Sequence, residues 1–115
     1  MLTKILGNSA LPTANALIDS HFPAAATAAV VTLAAIEFKR RVVARIVWSY
    51  SAAPTGGKLT ITGEGTTFEF DITAAGPGSL PLCYVGAENT AVVVTLASGG
   101  GTVVGKLNVE HYIES

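Results

Sequence analysis

Apolar and polar residues alternate with a period of two in several short segments of this chain. In residues 66–72, Phe68, Phe70 and Ile72 alternate with polar residues. Side chains of a strand point alternately to opposite faces, so these three are predicted to face a core. Residues 58–62 alternate in the same way, and a short Gly-containing link separates the two segments. The pattern predicts a β-hairpin in an antiparallel sheet with one wet face.

Five further segments have the composition of strands. They are rich in Val, Ile, Leu and Thr, and turns containing Gly, Pro or Asn separate most of them. These segments are 29–34, 41–51, 79–85, 90–97 and 102–113. With the hairpin they make about seven strands, and turns at intervals of roughly 8–12 residues are typical of an all-β sandwich. We therefore expect an antiparallel β-sandwich of the jelly-roll or Ig-like type.

Individual residues place some of these strands within the sheets. Pro81 cannot donate a backbone hydrogen bond, so residues 79–85 are predicted to form an edge or bulged strand. Residues 90–97 are apolar on both faces, which indicates a central strand. Strict alternation in residues 41–51 predicts one core-facing set, consisting of Val42, Ala44, Ile46, Trp48 and Tyr50.

The first 25 residues differ from the rest because their periodicity is weak. We predict an extended N-terminal arm over residues 1–25 and a sandwich domain over 26–115. Residues 12–18 either form a short helical turn with Pro12 near its start or continue the arm. The arm is too apolar for water, so it is expected to dock on its own domain or on a neighbour. The predicted contact residues are Leu2, Ile5, Leu11, Leu17, Ile18 and Phe22.

The composition indicates an assembled protein. Half of the 115 residues are hydrophobic and only 13% are charged, against about 25% in ordinary soluble domains. The surplus apolar surface favours a homo-oligomer or a larger assembly. No apolar segment is long enough for a membrane helix, and no signal peptide is recognisable, so assembly in a cytoplasm is expected. The net charge of −1 gives no general attraction to nucleic acid or to an anionic membrane.

Few residues suggest chemistry. The single cysteine, Cys83, is expected to be a small buried residue, and His21 and His111 are expected at a surface or interface, with no ligand motif connecting them. Glu69 and Asp71 share one strand face, and the simplest interpretation is a solvated surface. We therefore expect no enzymatic activity, no metal and no cofactor.

One charge cluster remains, formed by Lys39, Arg40, Arg41 and Arg45. It is either a solvated strand start or an anchor for an acidic partner surface or a phosphate. No aromatic residues alternate with these cations in a way that would stack bases, so nucleic-acid binding is not expected.

The chain from Arg41 onward resembles a group of small proteins encoded in the structural gene clusters of tailed phages and prophages. The matching segments are Val47–Leu59, Asp71–Gly78 and Val94–Val109. They consist of strands and turns, so the resemblance implies a scaffold and a virion component, and it implies no particular site.

These features lead to one expected function and two alternatives. We expect a phage virion structural protein, most specifically a capsid decoration (cement) protein that stabilises the head shell. Its expected partners are the major capsid protein or another virion protein, and its own copies in a homotrimer. The alternatives are a tail, collar or fibre-attachment component, and a carbohydrate-binding module that would use Trp48, Tyr50, Tyr84 or Tyr112.

Overall fold

The computed structural model describes residues 17–63 and 67–114, which form eight β-strands and no helix. These residues therefore contain no helix that could cross a membrane. Seven of the strands match the predicted segments, and the additional one is β1, inside the predicted arm. The strands are β1 (Leu17–His21), β2 (Ala29–Leu33), β3 (Arg40–Tyr50), β4 (Lys58–Thr62), β5 (Phe68–Asp71), β6 (Gly76–Val85), β7 (Val92–Leu96) and β8 (Gly105–Glu114).

The strands form two antiparallel sheets of four, with the orders β1-β8-β3-β6 and β2-β7-β4-β5. Strand β1 pairs with β8, β2 with β7, β3 with β6 and β4 with β5. The chain is thus one long hairpin rolled into two layers, which is the jelly-roll arrangement. The predicted all-β sandwich is confirmed, and the strand order selects the jelly roll over the Ig-like form.

Aliphatic side chains from the inner faces of both sheets form the core. Burial of such a side chain stabilises the fold by about 1.5–3 kcal/mol. The fully enclosed members include Ile46, Leu59, Ile61, Val92, Val94, Leu96, Leu107 and Val109. As predicted, β7 is a central strand, between β2 and β4, and the Pro81-containing β6 is an edge strand.

A β-bulge in β3 changes which of its residues face the core. The pairing register of β3 shifts between Val43 and Arg45 on both neighbouring strands. Val43 consequently joins the core, whereas Val42 lies between Val85 and Tyr112 on the opposite face, where it is also buried. Val42 is thus buried as predicted, but outside the main core cluster, and the half-buried Ala44 lies in the bulge. On one side of an inserted residue, every side chain of the strand points to the face opposite to the one that strict alternation predicts.

Candidate interaction surface

The strand order assigns each turn to one of two ends of the sandwich. The β2–β3 and β6–β7 connections lie at one end, together with the start of β1, the end of β4, the start of β5 and the end of β8. Backbone hydrogen bonds join the connections there: Gly86 N donates to Arg41 O over 2.8 Å, Ala87 N to Gly63 O over 3.0 Å, and Asn89 N to Lys39 O over 2.9 Å. The other four connections form the opposite end.

Exposed apolar side chains are concentrated at the first of these ends. Among the described residues, seven large hydrophobic side chains are exposed, and five belong to this end. The five are Leu17, Ile18, Phe38, Phe68 and Ile113, and we call the end of the sandwich that carries them the apolar end. The other two, Phe22 and Val30, lie towards the opposite end. Phe68 is predicted to face the core, but it begins the edge strand β5 and is 41% exposed.

Phe38 is the most exposed of these side chains, at 74%. It occupies the β2–β3 turn with a φ of 65°, a left-handed conformation that is costly for a bulky residue. Two backbone hydrogen bonds of Lys39, the residue after Phe38, hold this turn. The N–H of Lys39 donates to Ile36 O, and its carbonyl accepts from Asn89 N. A turn held by two backbone hydrogen bonds therefore presents an exposed aromatic ring.

The predicted basic cluster is split by the fold. At the apolar end, Arg40 donates to Gly86 O over 3.3 Å, and Arg41 donates to Ala34 O over 2.9 Å. Arg45 instead lies beside Glu110, with 3.8 Å between Nε and Oε1, and both side chains are about half exposed. An exposed pair of this kind contributes about 0–1 kcal/mol. Lys39, Arg40 and Arg41 thus stay near the exposed aromatic, and Arg45 does not.

The predicted arm residues also separate. Leu2, Ile5 and Leu11 lie outside the described residues. Leu17 and Ile18 are in β1, at the apolar end, and Phe22 lies at the opposite end with Lys106 Nζ 5.8 Å from its ring centre. Because residues 17–21 pair with β8, this part of the predicted arm is a strand of the sandwich. The boundary at residue 25 remains a prediction.

Polar contacts attach β1 to the rest of the molecule. His111, expected at a surface, is 1% exposed on the core face of β8, and its Nε2 contacts Asp19 Oδ2 at 2.7 Å. Val30 N donates to His21 Nδ1 over 2.9 Å, which joins β1 to β2 across the sandwich. Both histidines therefore hold strands together. The sequence does not predict these two contacts. His111 and Asp19 are far apart in sequence, and Asp19 and His21 lie in the N-terminal segment, where periodicity is weak.

Other candidate chemical groups are dispersed. Cys83, expected to be buried, is exposed on the edge strand β6, away from the buried His111. Glu69 Oε2 lies 3.4 Å from Lys58 Nζ in a surface ion pair. Within residues 17–63 and 67–114, no three His, Cys, Asp or Glu side chains converge in a way that would hold a metal ion.

The aromatics that a carbohydrate site would need mainly serve packing. Trp48 is half-buried, and its ring centre lies 5.8 Å from that of Phe70. Tyr50 is buried and donates its hydroxyl to Ala97 O over 2.6 Å. Tyr84 is half-buried against the core, and Tyr112 is half-buried on the outer face of β8. Trp48, Tyr50 and Tyr84 therefore pack within the protein, and Tyr112 alone of the four lies on an outer face.

No family model and no curated protein matches this chain. Among solved structures, it is similar to a ruminal GH26 endo-β-1,4-mannanase, with 10% identity and a TM-score of 0.45; the match covers 82% of this chain but only 19% of the mannanase. It is also similar to the virus-like particle of the extra small virus of the prawn Macrobrachium rosenbergii, with 11% identity, a TM-score of 0.33, and 87% and 80% of the two chains covered. A third similarity is to Bacillus endospore appendages, with 16% identity, a TM-score of 0.35, and 88% and 90% covered. None of these TM-scores reaches 0.5, so the jelly-roll assignment rests on the strand order and pairing.

Proposed function

We propose that this chain is a structural protein of a tailed-phage virion, most specifically a capsid decoration (cement) protein, and that it acts without catalysis. The observation that carries the proposal is the apolar end, because five exposed hydrophobic side chains and the cations of the β2–β3 turn lie at the same end of the sandwich. A stable monomer rarely gathers its exposed large hydrophobics at one place without a partner to cover them. The resemblance of the segments from Arg41 onward to phage structural proteins supports the same function.

The proposed mechanism is burial of the apolar end against neighbouring subunits of the shell. Each Å² of apolar surface removed from water contributes about 25 cal/mol before association costs are subtracted. The enclosed aliphatic core makes each copy a rigid unit. Many such units spanning subunit joints would stiffen the shell against internal pressure. A homotrimer at three-fold positions is the arrangement we favour, because closed cyclic symmetry lets each copy bury the same surface.

The partner we propose is the major capsid protein or another virion protein, with assembly in the host cytoplasm. Copy number separates this proposal from its nearest alternative. A decoration protein occurs in a fixed ratio to the major capsid protein, whereas a tail, collar or fibre-attachment component occurs in a few copies at one vertex. Neither membrane nor nucleic-acid binding is part of the proposed role.

The test uses particles of the encoding phage with this chain present or deleted. Quantitative mass spectrometry of purified particles measures the ratio of the chain to the major capsid protein. Purified chain is then added to the deleted particles, and the temperature at which they release DNA is recorded. We expect a constant ratio, saturable binding and a higher release temperature. A chain missing from the particles, or binding with no change in release temperature, would contradict the cement function.

A further inference from the structure

Strand β1 is attached to the sandwich mainly by polar groups. All five of its residues are exposed, and none belongs to the hydrophobic core cluster. Besides the backbone pairing with β8, three side-chain hydrogen bonds join it to its neighbours: Ser20 to Asn108 over 2.6 Å, Asp19 to His111 over 2.7 Å, and His21 to the Val30 amide over 2.9 Å. A segment with few buried apolar contacts opens at a lower free energy than the strands of a core.

The contact between His21 and Val30 depends on the protonation state of the imidazole. The backbone N–H of Val30 is a donor, so Nδ1 of His21 accepts, and the ring hydrogen of the neutral form lies on Nε2. A protonated imidazole has a hydrogen on both nitrogens and can no longer accept. Protonation therefore removes this bond and places two donors opposite each other. Histidine side chains ordinarily change charge between about pH 5 and pH 8.

The other two side-chain contacts of β1 do not have this property. The bond between Ser20 and Asn108 contains no titratable group. His111 donates to Asp19 through Nε2, a nitrogen that keeps its hydrogen when the ring is protonated. The His21 contact is therefore the one in which protonation removes the acceptor.

The ionisable groups of the elements around His21 do not favour the bond in its protonated form. Strand β2, which supplies the Val30 donor, has none, and neither do the connections 22–28 and 97–104 at this end. On β1 itself, Asp19 is engaged by His111. Strand β8 has Lys106, Glu110, His111, Tyr112 and Glu114. Of these, Lys106 is next to Leu107, the register partner of His21, and Glu110 lies opposite Ile18 and beside Arg45.

We propose that β1 is a pH-sensitive strand, which protonation of His21 releases from β2 so that it opens from the edge of β8. The closed strand has no room for a proton on Nδ1 of His21, whereas the open strand can bind one, so acid shifts the equilibrium towards opening. Opening exposes the backbone edge of β8 and the ring of His111, which is 1% exposed in the closed form. This inference does not depend on the proposed virion function.

Amide hydrogen exchange of the full chain tests the proposal at about pH 7.5 and about pH 5.5, on either side of the ordinary titration of histidine. Rates are expressed as protection factors, which remove the intrinsic pH dependence of exchange. The Val30 amide reports the bond itself, the amides of β1 report opening of the strand, and those of the central strand β7 are the internal reference.

Two variants separate the histidines. His21→Asn keeps an acceptor, because the side-chain oxygen of asparagine is two bonds from Cβ, as Nδ1 is, and this oxygen does not titrate. Asp19→Asn removes the carboxylate that contacts His111 and leaves the His21 contact intact.

We expect protection of Val30 and β1 to fall by about two- to tenfold from the higher to the lower pH, as for the loss of one hydrogen bond, with β7 unchanged. His21→Asn should keep its protection at both pH values, and Asp19→Asn should still lose it on acidification. Equal protection of the original chain at both values, or an undiminished loss in His21→Asn, would overturn the inference. An equal fall in β7 would do the same, because it would show global unfolding in place of opening of β1.

Discussion

The Nε2 atom of His111 lies 2.7 Å from Oδ2 of Asp19 and connects the buried face of β8 to the edge strand β1. A carboxylate oxygen can only accept, so the imidazole N–H donates. The two side chains differ in exposure, at 1% for His111 and 60% for Asp19. Within the described part of the chain, Nδ1 of His111 has no hydrogen-bond partner. The contact with Asp19 is therefore the one that satisfies this buried ring.

We expect Asp19→Ala to lower the free energy of unfolding by about 1–2 kcal/mol, because it leaves a buried imidazole without its acceptor. The double variant Asp19→Ala, His111→Leu should recover most of this loss, since it replaces both partners with apolar groups of suitable size. Urea denaturation measures the four states of the cycle, and amide exchange of β1 shows whether the strand opens locally. Equal stability of Asp19→Ala and the original would show that the contact contributes nothing.

Tyr50 should make stability fall at alkaline pH. Burial raises the pKa of its hydroxyl above the ordinary value of 10.0, and a backbone hydrogen bond involving Lys58 offsets part of that rise. A raised folded pKa gives stability that is complete below about pH 10 and is lost as the pH rises through the folded pKa. Tyr50→Phe should lower stability at pH 7 by about 0.5–1.5 kcal/mol, through loss of the bond to Ala97 O, and should flatten the alkaline decline.

Urea titrations at several values between pH 7 and pH 11 test this dependence. Tyr112→Phe, at a half-buried position on the outer face of β8, is the control. If the stability of Tyr50→Phe falls as steeply above pH 10 as that of the original protein, ionisation of Tyr50 is not the cause of the decline.

Gly78 in β6 lies so close to the Trp48 indole that there is no room for a side chain. A Cβ atom there would lie 2.5 Å from Cζ2 of Trp48, which packs over the glycine. We expect Gly78→Ala to cost about 1–3 kcal/mol through displacement of the indole, and to change the emission of the single tryptophan. Ser79→Ala, at the exposed neighbouring position, should change neither quantity. Unaltered emission and stability in Gly78→Ala would show that the indole is not packed on this strand.

Phe38→Gly should stabilise the isolated domain by about 1 kcal/mol. Glycine adopts a φ of 65° without steric cost, and the lost ring is mostly exposed. Thermal unfolding and urea denaturation measure the change against the original chain. A clear loss of stability would instead assign the ring a packing role.

The features predicted correctly are those that depend on local alternation. Residues 58–62 and 68–71 form the expected hairpin, because one wet face and one buried face leave a period of two in the sequence. Central β7 and edge β6 follow from an apolar run and from Pro81. Each of these signals is contained in about ten residues or fewer, which is within the usual length of a single strand.

The features that were missed depend on distant partners. Strand β1 contains Asp19, a residue type depleted in strands, and the contact of Asp19 with His111 spans 92 positions in sequence. The bulge at Val43 and Arg45 is visible only in the register with two neighbouring strands. The left-handed conformation of Phe38 belongs to a residue type that rarely adopts it. The apolar end could not be predicted because its members come from separate segments of the chain, and only the strand order shows that they share one end of the sandwich.

The central claim is the proposed place of this chain in a phage particle, and electron cryomicroscopy of intact particles from the proposed phage tests it most directly, because it shows both where the chain lies and which surface it buries. The account predicts jelly-roll density at repeated positions on the head shell, with Phe38 and the rest of the apolar end against a neighbouring protein. Particles without such density, or density in which the apolar end faces solvent and the opposite end makes the contact, would contradict it.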